Sequence, residues 1–153
     1  MIVGKSKEQG VTLIELLVCV ALVAVLASLA MPSVITYIKQ DRVDSNVHTL
    51  NSVYQYARSE AVKREQTVKL VKQESNWLVT TMVDGREKTL RKFTIGHESI
   101  YVDLVDREVR STGELNFMSN ILVSDNDNST RDYRLCILRS GQSWVSEAAE
   151  NCA

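Results

Sequence analysis

The sequence is poor in the residues that punctuate or staple a chain. It holds one Pro, six Gly, two His and three Cys in 153 residues. So little Pro and Gly excludes collagen-like and Pro-rich linker architectures. Two His with no neighbouring Cys cluster leave no zinc-ligand pattern, and the sequence implies no cofactor. An excess of charge is missing too. Eighteen Lys and Arg stand against 19 Asp and Glu, a formal net charge of −1, which argues against a globally basic nucleic-acid binder. The chain has no G-x-S-x-G, Walker-type loop, H-E-x-x-H or C-x-x-C, so no enzyme is read from it. What remains, 44% hydrophobic and 24% charged residues, is the composition of a folded chain the size of one domain.

The apolar residues are unevenly spread. Residues 11–31 read VTLIELLVCVALVAVLASLAM, where only Thr12, Glu15 and Ser28 are not apolar. As a helix this run spans about 31 Å at ~1.5 Å per residue, close to the ~30 Å bilayer core. Pro32 follows, a place for a kink or break. A buried core helix normally keeps some polar face, and this one has none. Upstream, Lys5 and Lys7 stand against Glu8; lysines ahead of an apolar run stay cytoplasmic. A cleaved secretory signal is the alternative, with Ala27-Ser28-Leu29-Ala30 as a loose cleavage site. The run is longer than that signal needs, and it contains Glu15. A carboxylate in the bilayer costs roughly 3 kcal/mol on insertion scales, so it either finds a partner or reaches headgroups near the helix start.

Gly10-Val11-Thr12-Leu13-Ile14-Glu15, followed by Leu16-Leu17-Val18, closely resembles the class III signal of type IV pilins and type II secretion pseudopilins. The resemblance implies cleavage by a prepilin peptidase between Gly10 and Val11, with Val11 N-methylated by the same enzyme. The family usually has Phe where this chain has Val11. Glu15 becomes the fifth residue of the mature chain, where its carboxylate pairs with the amine of a neighbouring subunit and sets axial register. Loss of the leader removes two basic residues and one acidic residue, taking the formal charge from −1 to −2. The implied organisation is a leader at 1–10, a transmembrane and assembly helix at 11–32, and a periplasmic domain at 33–153 behind a single inner-membrane span. The implied partners are the peptidase, the inner membrane and other pilins or pseudopilins.

Beyond Pro32, Val43, Val47, Leu50, Tyr54, Ala57 and Ala61 recur at helical spacing. Asp44, Asn51, Gln55, Arg58 and Lys63 occupy the other face, and the helix should stop near residues 64–66. The period then becomes that of strands. Strands are expected at 67–72, 76–83, 88–95, 99–105 and 114–118. A hairpin turns at Asp84-Gly85, and another joins 132–139 to 142–146 across Ser140-Gly141. The polar loop Asp125–Thr130 lacks the Gly and terminal Glu of an EF-hand, so it reads as a solvated turn. The expected class is α+β: one long N-terminal helix packed on an antiparallel sheet, the pilin fold.

A second, looser resemblance lies in Tyr56-Ala57-Arg58-Ser59-Glu60-Ala61, in Trp77 on the second strand, and in the Arg139-Ser140-Gly141 hairpin. These are similar to the FimT/FimU/GspH group of minor pilins and pseudopilins. Cys19 lies in the apolar run as a small hydrophobe. In an oxidising periplasm Cys136 and Cys152 are a plausible disulfide pair. The paired cysteines tilt the expected function toward a minor pilin that primes type IV pilus assembly; the alternative is a GspH-like pseudopilin of a type II secretion system. A further alternative is DNA capture at a pilus tip. FimT-like receptors are associated with a G-R-x-R hairpin, whereas this chain has Gly141-Gln142-Ser143-Trp144. Arg131, Arg134 and Arg139 would have to meet the phosphates instead. Charged strand residues facing water are the plainer explanation for those arginines.

Overall fold

The computed structural model describes residues 12–150 and Cys152. Gly10 and Val11 lie outside the described residues. The chain divides into two compact units, Met1–Tyr37 and Ile38–Ala153. The first helix, α1, spans Leu13–Arg64 and contributes to both.

In the first unit, Thr12 caps α1. Its Oγ1 accepts the Glu15 backbone N–H at 3.3 Å, half of the reciprocal T-x-x-E arrangement that satisfies two orphan donors at a helix start. Apolar side chains from Leu13 to Met31 are exposed throughout. The segment is long and apolar enough to cross a membrane. Pro32 does not break the helix. It removes one i→i−4 donor, and hydroxyls flank the gap: Ser28 donates to the Val25 carbonyl at 2.7 Å and Thr36 to the Pro32 carbonyl at 3.3 Å.

In the second unit the stripe of α1 anticipated from spacing is the buried one. Val43, Val47, Leu50, Tyr54, Ala57 and Ala61 are all at most 1% exposed. Two antiparallel four-stranded sheets accompany it. The first has the order β3 (Arg86–Thr94), β2 (Asn76–Val83), β1 (Val68–Gln73), β5 (Arg107–Val109). The second has the order β4 (Tyr101–Val102), β6 (Ser119–Ser124), β7 (Tyr133–Ile137), β8 (Ser143–Glu147). Val68, Leu70, Trp77 and Val79 of the first sheet and Ile121, Val123, Leu135 and Ile137 of the second join the helix stripe in one core. Trp77 also donates its indole N–H to the Val105 carbonyl at 3.0 Å, which ties β2 to the passage between the sheets.

The expected elements need several corrections, beginning with β5 at Arg107–Val109, where no strand is expected from the sequence. Strand 99–105 shrinks to Tyr101–Val102, because the Leu104 amide turns back onto the Val102 carbonyl at 2.9 Å. Residues 114–118 form no strand; Leu115 makes one bridge to Val109, while Phe117 and Met118 face out. The strand follows at Ser119–Ser124, where buried serines at both ends give it the look of a loop in sequence. Of the two hairpins, Asp84-Gly85 has both residues at positive φ (51° and 74°), as a type I′ turn requires. The C-terminal one uses three residues, not two. Leu138 N–H donates to Gln142 O at 2.8 Å and Gly141 N–H to Leu138 O at 2.9 Å, with Gly141 at φ 85° as a bulge glycine.

Gly141 has a second reason to lack a side chain. A Cβ there would lie 2.1 Å from the Gly113 carbonyl oxygen, whereas at Gly85 (φ 74°) it would meet nothing within 4 Å. In a fragment spanning residues 38–153, Gly85→Ala should cost about 1 kcal/mol, the left-handed penalty alone. Gly141→Ala should cost at least about 3 kcal/mol, because backbone must also move. Urea unfolding of both variants checks this; equal losses would mean that the contact with Gly113 is unimportant.

Candidate functional site

The surfaces able to act are the exposed apolar start of α1, the C-terminal hairpin held on α1, and the arginines at 131, 134 and 139 in and beside β7. Glu15 sits on the first turn of α1, solvent-exposed in the isolated chain. Every neighbour it has on that helix face is apolar or, at Thr12, a capping hydroxyl.

The hairpin is held by Tyr54 of the buried stripe of α1 and by Asn51, Gln55 and Arg58 of the face that the sequence marks as polar. Tyr54 donates its phenol O–H to the Gly141 carbonyl at 3.0 Å. Arg58 Nε donates to the Gly113 carbonyl at 3.2 Å. Gln55 Nε2 donates to the Ser143 hydroxyl at 2.6 Å, and that hydroxyl donates to Asn51 Oδ1 at 2.7 Å. Leu115 N–H donates to the Arg139 carbonyl at 3.0 Å, joining the two turns. Asn51 and Arg58 are thus half-buried, not part of a solvated face. The Tyr56–Ala61 segment explains itself in the same terms. Ala57 and Ala61 let strands approach, Tyr56 lies 5.3 Å beneath the Arg91 guanidinium, and Glu60 binds Arg64 at 2.6 Å. Burial pushes the Tyr54 phenol up from 10.0 to about 12, against the opposing pull of Arg58.

A second set of ties lies at residues 39–44, and sequence reasoning missed it. Lys39 binds Asp127, and Gln40 accepts the Arg131 N–H at 2.7 Å while donating to its carbonyl at 3.2 Å. The Lys39 ammonium, then the Ser129 amide and hydroxyl, hold the Asp127 carboxyl well below its usual range. Inside the 125–130 loop, Asp125 accepts the Thr130 hydroxyl and the Asp127 amide. Those carboxylates are occupied by the protein's own donors, and no three-residue metal-ligating group exists among the described residues. No local sequence signal links Lys39 to a residue 88 positions away.

The structure does not bring Arg131, Arg134 and Arg139 together as one free cationic patch. Arg131 is ion-paired with Glu147 at 2.9 Å. Arg134 is half-buried with its Nε enclosed and unpartnered, and Arg139 sits in the hairpin turn. A disulfide joins Cys136 of β7 to Cys152, with the Cα atoms 5.4 Å apart. Cys19 is an exposed free thiol on the apolar half of α1.

A helix with an apolar first half and a second half packed on antiparallel sheets defines a pilin-like subunit. Residues 5–31 match the prokaryotic N-terminal methylation motif, and residues 46–150 match the family described as type II transport protein GspH. The second match covers well over half of the chain, which therefore belongs to the GspH family. Among solved structures the chain is similar to the type IV minor pilin FimU of Pseudomonas aeruginosa. That match has 16% identity and a TM-score of 0.63, covering 74% of this chain and 95% of that one. It is also similar to the minor pseudopilin EpsH of the Vibrio cholerae type 2 secretion system. Here identity is 12% and the TM-score 0.55, with 71% of this chain and 99% of that one covered. No curated protein matches the chain. The protein is a minor pilin or pseudopilin, a structural subunit and not an enzyme.

Two outcomes are expected from the head. Non-reducing peptide mapping should recover the Cys136–Cys152 pair, and reduction should lower unfolding free energy by about 3 kcal/mol, the loop-closure value for this separation; two freely alkylated thiols in oxidised protein would contradict it. The raised phenol of Tyr54 gives a pH signature. Its contribution is complete below pH 10.0 and drains away as pH rises through about 12. Tyr54→Phe should lose about 1–3 kcal/mol at neutral pH, because the Gly141 carbonyl is left unpaired, and should show a shallower alkaline decline than wild type.

Proposed function

We propose that this chain is a minor pilin that primes or joins type IV pilus assembly, anchored in the inner membrane by α1 with its head in the periplasm. The observation that carries the reading is the methylation motif at 5–31 leading directly into an uncovered apolar helix. In this reading a prepilin peptidase cuts between Gly10 and Val11 and methylates Val11. Residues 11–32 cross the membrane until the subunit is drawn into a fibre, where neighbouring helices cover them. Glu15 then meets an ammonium of an adjacent subunit. An unpaired carboxylate in that apolar bundle is costly, so pairing selects one axial register.

The reading as a type II secretion pseudopilin has its own support in the family description and in the likeness to EpsH. Both readings use the same N-terminal physics. Deletion of the gene in its host separates them: loss of surface pili with intact exoprotein secretion supports the pilin, and the reverse supports the pseudopilin. DNA capture is the weaker alternative, since Arg131 is already neutralised and the arginines do not converge.

Two outcomes test the N-terminal reading. Intact mass and N-terminal sequencing of native protein should find a chain starting at methylated Val11; a start at Met1, or beyond Ala30, sinks the proposal. Glu15→Ala should insert in membranes at least as well as wild type, because a charge costing roughly 3 kcal/mol is gone. The head should melt normally, while incorporation into fibres falls at least about tenfold. Equal incorporation would mean that no cross-subunit pair exists.

A further inference from the structure

Strand β3 is the outer strand of its sheet, paired only to β2, with a register shift opposite Val79/Thr80 that skips Leu90 and sets Arg86 and Lys88 on one face and Lys92 on the other. Alternate residues of an outer antiparallel strand turn their amide and carbonyl away from the sheet, and β3 makes no other backbone hydrogen bond among the described residues. The strand carries Arg86, Lys88, Arg91 and Lys92 against one acid, Glu87, although the whole chain is net −1. Glu87 is engaged with the Thr80 hydroxyl at 2.8 Å and neutralises no neighbour. None of the four cations makes a salt bridge among the described residues, where six of the other twelve Lys and Arg do. Arg91 is spent on the Tyr56 ring. Arg86, Lys88 and Lys92 remain exposed and without a counter-charge.

We infer that β3 is a heterotypic docking edge, which accepts an extended, acidic segment of another subunit as an added strand. Cations along an open edge repel the same edge of a second copy, so they block self-pairing. The same cations favour a strand with carboxylates opposite them, which converts a guard into a selector. Backbone hydrogen bonds supply affinity in this mode, and the charges supply the choice of partner. The partner's nature rests on the subunit reading above, but the binding measurement does not require assembly, so either idea can fail alone.

The test uses the full-length protein in neutral detergent micelles. The probe is a fluorescent nine-residue peptide of Glu, Val and Thr that carries glutamates on both faces of the strand. A second probe of identical sequence has every backbone amide N-methylated, so that it keeps its charge and loses its donors. The acidic peptide should bind at about 50 mM salt and weaken by about tenfold at about 300 mM. Lys88→Glu combined with Lys92→Glu should abolish binding with the melting temperature unchanged, and Lys88→Arg with Lys92→Arg should keep it. The N-methylated peptide should bind at least about tenfold more weakly, as expected when edge amides and carbonyls are used. Equal binding of the two peptides, no binding of the acidic one at low salt, or tighter binding of duplex DNA than of the peptide would each overturn the proposal.

Discussion

The structure depends on one constraint: from Leu13 to Met31 the chain presents apolar side chains on every side of α1 and covers none of them itself. Such a surface in water is unfavourable by about 25 cal/mol for each Å². It must therefore be covered by lipid or by other helices. The core of the second unit is closed by residues of α1 from Val43 onward. The helix is thus built from two segments with different solvents. The first has no polar face; the second has a narrow buried stripe and ties to the sheets.

That division explains how the head holds itself together. Its folding cannot draw on the apolar segment, so α1 is fastened by polar contacts at several levels. Lys39 and Gln40 bind the 125–131 loop, Asn46 accepts the Gly96 amide at 3.0 Å, and Tyr54, Gln55 and Arg58 bind the hairpin turns. Each bond contributes only about 1 kcal/mol net, but together they set the rotation of α1 about its own axis within the head. The Cys136–Cys152 bond fastens the last residues to β7, a central strand of its sheet. With the tail secured, little of the head depends on an end free to fray.

Legibility in the sequence follows the range of the interaction. The buried stripe from Val43 to Ala61 depends on local period alone, and every one of those positions is buried. The Asp84-Gly85 turn is equally local, since two adjacent positive φ values select that dipeptide. The missed elements depend on distant partners. β5 has three residues and exists because Val109, Glu108 and Arg107 meet Val68, Lys69 and Leu70. β6 hides behind buried serines at both ends, while the apolar pair Phe117-Met118 drew the pattern to a loop. Arg58 and Asn51 have the polarity of a solvated face, yet they serve a hairpin more than 50 residues away. In the proposed function Gly10, Val11 and Glu15 form a signal addressed to other proteins, which is why their pattern is legible from local sequence alone.

The same logic locates the information that distinguishes one assembly from another. The apolar segment and its single carboxylate suit any fibre whose axis is a bundle of such helices, so they carry no choice of system. The core carries little choice either. FimU and EpsH share this fold at 16% and 12% identity, so the fold persists while most side chains differ. Specificity then falls to exposed positions that neither the core nor the membrane constrains. On this head, some exposed acids are already paired within the chain, as at Arg131–Glu147 and Lys69–Glu108. Strand β3 instead combines an open backbone edge with several unpaired cations in one place. A pair satisfied internally gives a partner little to gain, whereas an unsatisfied edge gives it both hydrogen bonds and charge. The surface left electrostatically incomplete by folding is therefore the one best able to select a neighbour.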